Sequence, residues 1–152
     1  SSFYDRDDYH AICLATWKNG TGHKKPHEFE VRISSPDHPI IQGLENFQIT
    51  DELWYKPYVH PEATVIAESF SQYTENWEPT ALVGQFGKGR CYTLLLGHSA
   101  AFMQNEDFEA LLISGTEWTA KIKYTDSPDS ADYPGRKVPS AFSFPEGPLH
   151  QP

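Results

Sequence analysis

An α/β sandwich is the fold class this sequence leads one to expect. Two segments with helical spacing flank short runs in which apolar and polar residues alternate. One further run, "CYTLLLG" at 91–97, is continuously apolar, as suits a strand in a sheet covered on both faces.

In order along the chain, "RDDYHAICLATW" (6–17) places Tyr9, Ile12, Cys13 and Trp17 at helical spacing before "KNGTG" ends the pattern. In "EFEVRI", Phe29, Val31 and Ile33 alternate with Glu28, Glu30 and Arg32, the period of a half-buried strand. "SSPDHPIIQGLENF" is dense in turn formers and reads as loop with one short helical turn. "ATVIAESF" and "TALVGQF" read as strands separated by polar "SQYTENWEP". Gly87-Lys88-Gly89 then forms a hairpin turn before the apolar run. The clearest helix is "NEDFEALLISGTEWTAK", with Asn105 as N-cap and Phe108, Leu111, Leu112, Gly115 and Trp118 as its apolar stripe. From 125 to 152 the composition turns to Pro, Ser, Gly and Asp, which predicts an extended tail that Phe142 and Phe144 could pin to the body.

The 152 residues suffice for one core, at 38% hydrophobic and 14% aromatic content. No run reaches the roughly 18 apolar residues that cross a bilayer, and the net charge of −9 disfavours nucleic acid or an anionic membrane as partner. A neutral or cationic small ligand fits better. Cys13 and Cys91 lack CxxC spacing and read as buried thiols. The opening residues show no signal peptide, and the expected location is soluble and cytoplasmic, with export left open.

Three stretches concentrate unusual polar residues. In "TGHKKPHEF", His23 and His27 would lie about 13 Å apart on an extended chain, too far to share a metal unless the loop folds back. His27 shares strand parity with Phe29, which leans it toward the buried side. In "ITDELWYKPY", Asp51 and Glu52 point to opposite faces of a strand, so only one can enter a given pocket; the plainer expectation is that Asp51 caps a turn and Glu52 is solvated. In "TLLLGHSAAF", His98 follows a buried strand, where ligands gather at the carboxyl ends of open α/β sheets. Gly97 permits close approach or an unusual backbone angle, and Ser99 can cap or donate a hydrogen bond.

The ordered elements "HEF", "HPIIQGL", "DELW" and "GKGRCYTLLLGH" resemble those of the ThuA-like (trehalose-utilisation) domain family over about Phe3 to Trp118. Two departures are that the family's DELY reads "DELW" followed by Tyr55, and that Phe102-Met103 follow the LGH element. The resemblance implies a flavodoxin-like, class I glutamine amidotransferase-like three-layer sandwich over residues 1–124, with the amino-terminal β-α-β portion of the domain outside the chain. It further implies carbohydrate catabolism on a disaccharide or keto-sugar derivative rather than glutaminase activity. Some members are associated with a divalent metal such as zinc, and no nucleotide cofactor is expected. On this chain His98 and Glu52 become the candidate catalytic residues. Trp54, Tyr55, Tyr58 and Ser99 become the candidate substrate contacts, and His23 and His27, with His98 or Glu52, the candidate metal ligands. The expected partner is a small carbohydrate, with a homo-oligomer as a further expectation. The alternative is a non-catalytic carbohydrate-binding or accessory domain with the same residues.

Overall fold

A computed structural model describes residues 6–121 of the chain. The tail expected over 125–152, with Phe142 and Phe144, lies outside the described residues.

The first helix, α1 (Asp7–Cys13), is shorter than its spacing predicts. Leu14 takes a positive φ of 56° and ends it, so Ala15–Thr16 becomes a two-residue strand, β1, and Trp17 lies beyond the helix. There follow β2 (Gly22–His23), β3 (His27–Ile33), β4 (Phe47–Asp51), β5 (Trp54–Tyr55) and β6 (Tyr58–Val59). A meander of β7 (Thr64–Ser71), β8 (Asn76–Phe86) and β9 (Gly89–Leu94) leads through a short 3-10 turn, Phe102–Gln104, into α2 (Glu106–Ala120). The main sheet has the order β4-β3-β7-β8-β9, while β1 pairs with β6 and β2 with β5.

The α/β class stands, and the sheet is covered on both faces. On one face Ala81 and Val83 of β8 lie opposite Leu94 and Tyr92 of β9. That face packs with Phe29, Val31, Ile49 and, from α2, Phe108 and Leu111. On the other face Leu82 and Cys91 pack with Leu14 and Ala15, and the Thr93 hydroxyl donates to the Cys13 carbonyl at 2.6 Å. Burying a large apolar side chain supplies about 1.5–3 kcal/mol, so the first cluster fastens α2 to the sheet, while the second holds Leu14 and Ala15, directly after α1, against it.

The hairpin expected at Gly87-Lys88-Gly89 is present, with Phe86 paired to Gly89. Every ladder among the described residues is antiparallel. The connections explain it, because turns as short as the one at residues 87–88 join antiparallel neighbours and cannot make a parallel crossover. The ladder of β9 stops at Leu94, although the Leu95 N–H still donates to the Thr80 carbonyl at 2.8 Å. Strand β8 begins earlier than expected and contains Pro79, which sits where β9 does not pair and where the register to β7 shifts.

In α2 the Asn105 side chain accepts from the N–H groups of Asp107 and Phe108, as an N-cap should. Its buried stripe is Phe108, Ala110, Leu111 and Gly115; Leu112, expected inside, is 45% exposed. Cys13 and Cys91 are both free thiols, and Cys13 is only half-buried. Among the described residues no helix is long and apolar enough to cross a membrane.

Candidate functional site

Strand β4 alternates strictly, with Phe47, Ile49 and Asp51 buried and Gln48 and Thr50 exposed. This carries Asp51 onto the core side at the very end of the strand, where it is wholly buried. Its Oδ1 accepts the N–H of Glu52 at 2.8 Å, the local cap that the sequence suggests. It also does something the sequence does not show: Oδ2 accepts the N–H of Gly97, and Oδ1 accepts the N–H of His98 at 3.2 Å. The end of β4 is thereby tied to the loop that follows β9.

Gly97 makes that loop possible. Its φ is +91°, and a Cβ there would stand 2.7 Å from the Phe108 ring, so both the backbone angle and the close approach require glycine. The chain then turns at Ser99, whose carbonyl accepts the N–H groups of Phe102 and Met103.

Glu52 is not solvated as expected, since its side chain is only 12% exposed. Its Oε2 lies 2.9 Å from Nδ1 of His23 and 3.2 Å from Nδ1 of His98. Both contacts are at ion-pair distance, yet neither has hydrogen-bond alignment, and Oε2 is a buried oxygen without a hydrogen bond. The two imidazoles stand 6.1 Å apart, inclined by 32°, with side chains 40% and 57% exposed for His23 and His98. A carboxylate at the floor and two accessible imidazoles above it form a group able to bind, accept and donate protons.

Strands β2 and β5 hold the rest of the rim, with His23 opposite Trp54 and Gly22 opposite Tyr55 in register. Trp54 meets Trp17 edge to face at 5.0 Å, and Trp17 in turn meets His23 at 6.0 Å. Trp17 also lines an open groove with Lys18, Asn19, Gly20 and Thr21. Trp17 fits the helical spacing of 6–17 but lies at the site instead; the signal that marks it is the "KNGTG" segment directly after it.

The other expected residues have neighbours of their own. His27 is exposed rather than turned inward; its Nδ1 lies 3.0 Å from the Lys25 carbonyl, and its ring meets Phe29 at 5.3 Å. None of these contacts is to His23, Glu52 or His98. The parity with Phe29 is real, but His27 is the first residue of β3 and is exposed even though its register partner Asp51 is buried. Tyr55 packs with Tyr73 at 4.8 Å. Tyr58 meets His10 of α1 at 4.9 Å. Among the described residues no group of three or more His, Cys, Asp or Glu side chains is arranged to hold a metal ion.

The comparisons with known proteins agree with this fold. A protein of Parabacteroides merdae ATCC 43184 described as ThuA-like superposes with a TM-score of 0.60 at 23% identity, covering 89% of this chain and 53% of its own. A cytoplasmic protein of Salmonella typhimurium superposes with a TM-score of 0.55 at 15% identity, covering 76% of this chain and 47% of its own. The chain thus spans about half the length of these structures. No curated protein matches it. The model of the ThuA family, described as trehalose utilisation, matches residues 3–119, and the chain belongs to that family.

Proposed function

We propose that the chain serves carbohydrate catabolism and acts on a disaccharide or keto-sugar derivative at His23, Glu52 and His98. The observation that carries this reading is Oε2 of Glu52, a buried oxygen facing two imidazoles without a hydrogen bond. The family's description supports the sugar class, and the Trp17–Trp54 corner offers apolar ring faces of the kind that sugars stack upon.

With Nδ1 of His98 turned to Glu52, Nε2 is the nitrogen left to meet a substrate. His98 takes a proton there as general base, and Glu52 stabilises the imidazolium that forms. His23, on the same carboxylate oxygen, is placed to hold or return a proton on the other side. The divalent cation implied by the family resemblance would have His23, His98 and Glu52 as its available donors. These three are not arranged as an ion's ligands.

A non-catalytic carbohydrate-binding domain is the second reading. The exposure of both imidazoles favours it, because solvent weakens electrostatic stabilisation of a transition state. Incubation of the chain with a 3-keto-disaccharide, followed by NMR of the products, separates the two. Turnover that falls by about 10²- to 10⁴-fold in His98→Ala and Glu52→Gln supports the catalytic reading. Saturable binding without turnover in the unaltered chain establishes the second.

A further inference from the structure

We infer that Asp51 is the positioning residue of this site, the group that sets His98 against Glu52. The inference rests on the reading of His98 and Glu52 just given. It goes beyond that reading by assigning a role to a residue that touches neither imidazole ring.

Glu52 and His98, whose side chains face each other at 3.2 Å, are both pinned by their own backbone N–H groups to one oxygen of Asp51. Oδ1 of Asp51 accepts the N–H of Glu52 at 2.8 Å and the N–H of His98 at 3.2 Å. The other oxygen accepts the N–H of Gly97, 46 positions away in the chain. A carboxylate is suited to this work because it offers only acceptors and makes charge-assisted bonds that are short and directional. A neutral alanine or leucine at the end of β4 would bury equally well but leave three N–H groups unpaired.

Gly97 removes the remaining freedom. Its left-handed backbone lies against the Phe108 ring, which is itself buried in the core. His98 therefore leaves the sheet from a fixed point in a fixed direction, with one backbone anchor on Asp51 and one steric anchor on Phe108. Catalytic geometry is sensitive at this scale, since a displacement of about 1 Å can reduce a rate about 100-fold.

The test has one arm that needs no substrate and one that does. In NMR spectra of the intact chain, the Gly97 and His98 amide protons should exchange slowly and resonate downfield, and the His23 and His98 rings should show mutual NOEs. In Asp51→Ala the amides should become fast-exchanging and the ring NOEs should disappear. Where that variant fails to fold, Asp51→Asn, which keeps the shape and one acceptor oxygen, supplies the comparison. Fast exchange of both amides in the unaltered chain overturns the inference without any variant. So do ring NOEs that survive loss of the carboxylate.

In the second arm, Asp51→Asn should lower kcat for a 3-keto-disaccharide by about 10- to 100-fold with KM nearly unchanged. The same substitution in a His98→Ala background should cost nothing further, because the two act as one unit. An equal loss in both backgrounds means that Asp51 is structural only, and overturns the inference. Absence of any turnover removes the proposed catalytic function, while the NMR arm still decides the role of Asp51.

Discussion

Replacing Gly115 with alanine sets helix propensity against packing, which predict opposite signs at this position. In an ordinary helix interior alanine is favoured over glycine by about 1 kcal/mol. Here an added Cβ would stand 2.0 Å from Cε1 and 2.3 Å from Cδ1 of Tyr92. Those atoms belong to a ring held at its far end, because the Tyr92 hydroxyl donates to the Leu111 carbonyl at 3.2 Å. The ring can yield only by repacking, at about 1–3 kcal/mol, and by giving up a hydrogen bond of about 1 kcal/mol. Set against the propensity gain, the expected net loss is about 1–3 kcal/mol. Urea denaturation followed by circular dichroism measures it directly. In a Tyr92→Ala background the obstacle is gone, and Gly115→Ala should become neutral or stabilising by up to about 1 kcal/mol. A Gly115→Ala chain that is more stable than the parent would refute this account of how α2 sits on β9.

Two further outcomes follow. Burial pushes the Tyr92 phenol above its ordinary value of 10.0; above that pH the unfolded chain loses a proton that the folded chain keeps, so stability should fall with a slope approaching 1.4 kcal/mol per pH unit. Tyr92→Phe should remove that part of the alkaline loss, as pH-dependent denaturation would show. Trp17→Ala should weaken binding of a disaccharide or keto-sugar about tenfold, equivalent to about 1.4 kcal/mol, with a smaller effect on kcat. An unchanged KM would remove Trp17 from the sugar surface.

Much of the local structure is legible from residue order alone. The alternation in "EFEVRI" and the cap at Asn105 are local signals, and local signals decide elements. His98 could be singled out because an apolar run ends directly before it. What periodicity cannot carry is the identity of partners. The antiparallel pairing depends on how hairpins stack, and the bond between Asp51 and Gly97 depends on where two remote segments meet. The same limit explains Glu52, which reads as a surface residue in sequence and is covered by His23 of β2 and His98 of the loop after β9. Ala110 is buried where Leu112 is expected for a similar reason: periodicity gives Phe108, Leu111 and Gly115, and the sheet beneath the helix decides the edges of the stripe.

The tie between Asp51 and the loop after β9 also has a kinetic side. Strands β7, β8 and β9 are joined by tight turns and can zip up from neighbouring residues, whereas the carboxylate must capture amides 46 positions away. Closing so long a segment costs entropy before any contact repays it. The meander can therefore form without the site, but the site cannot form without the meander. By the same route backwards, the short ladders β1–β6 and β2–β5 can open while the five-stranded sheet persists. A compound that bridges His23 and His98 would hold that closure shut and raise the free energy of local opening in proportion to the logarithm of its concentration. Hydrogen exchange at Gly97 and His98, measured against a panel of sugars, thus becomes a way to find the ligand before any reaction is known.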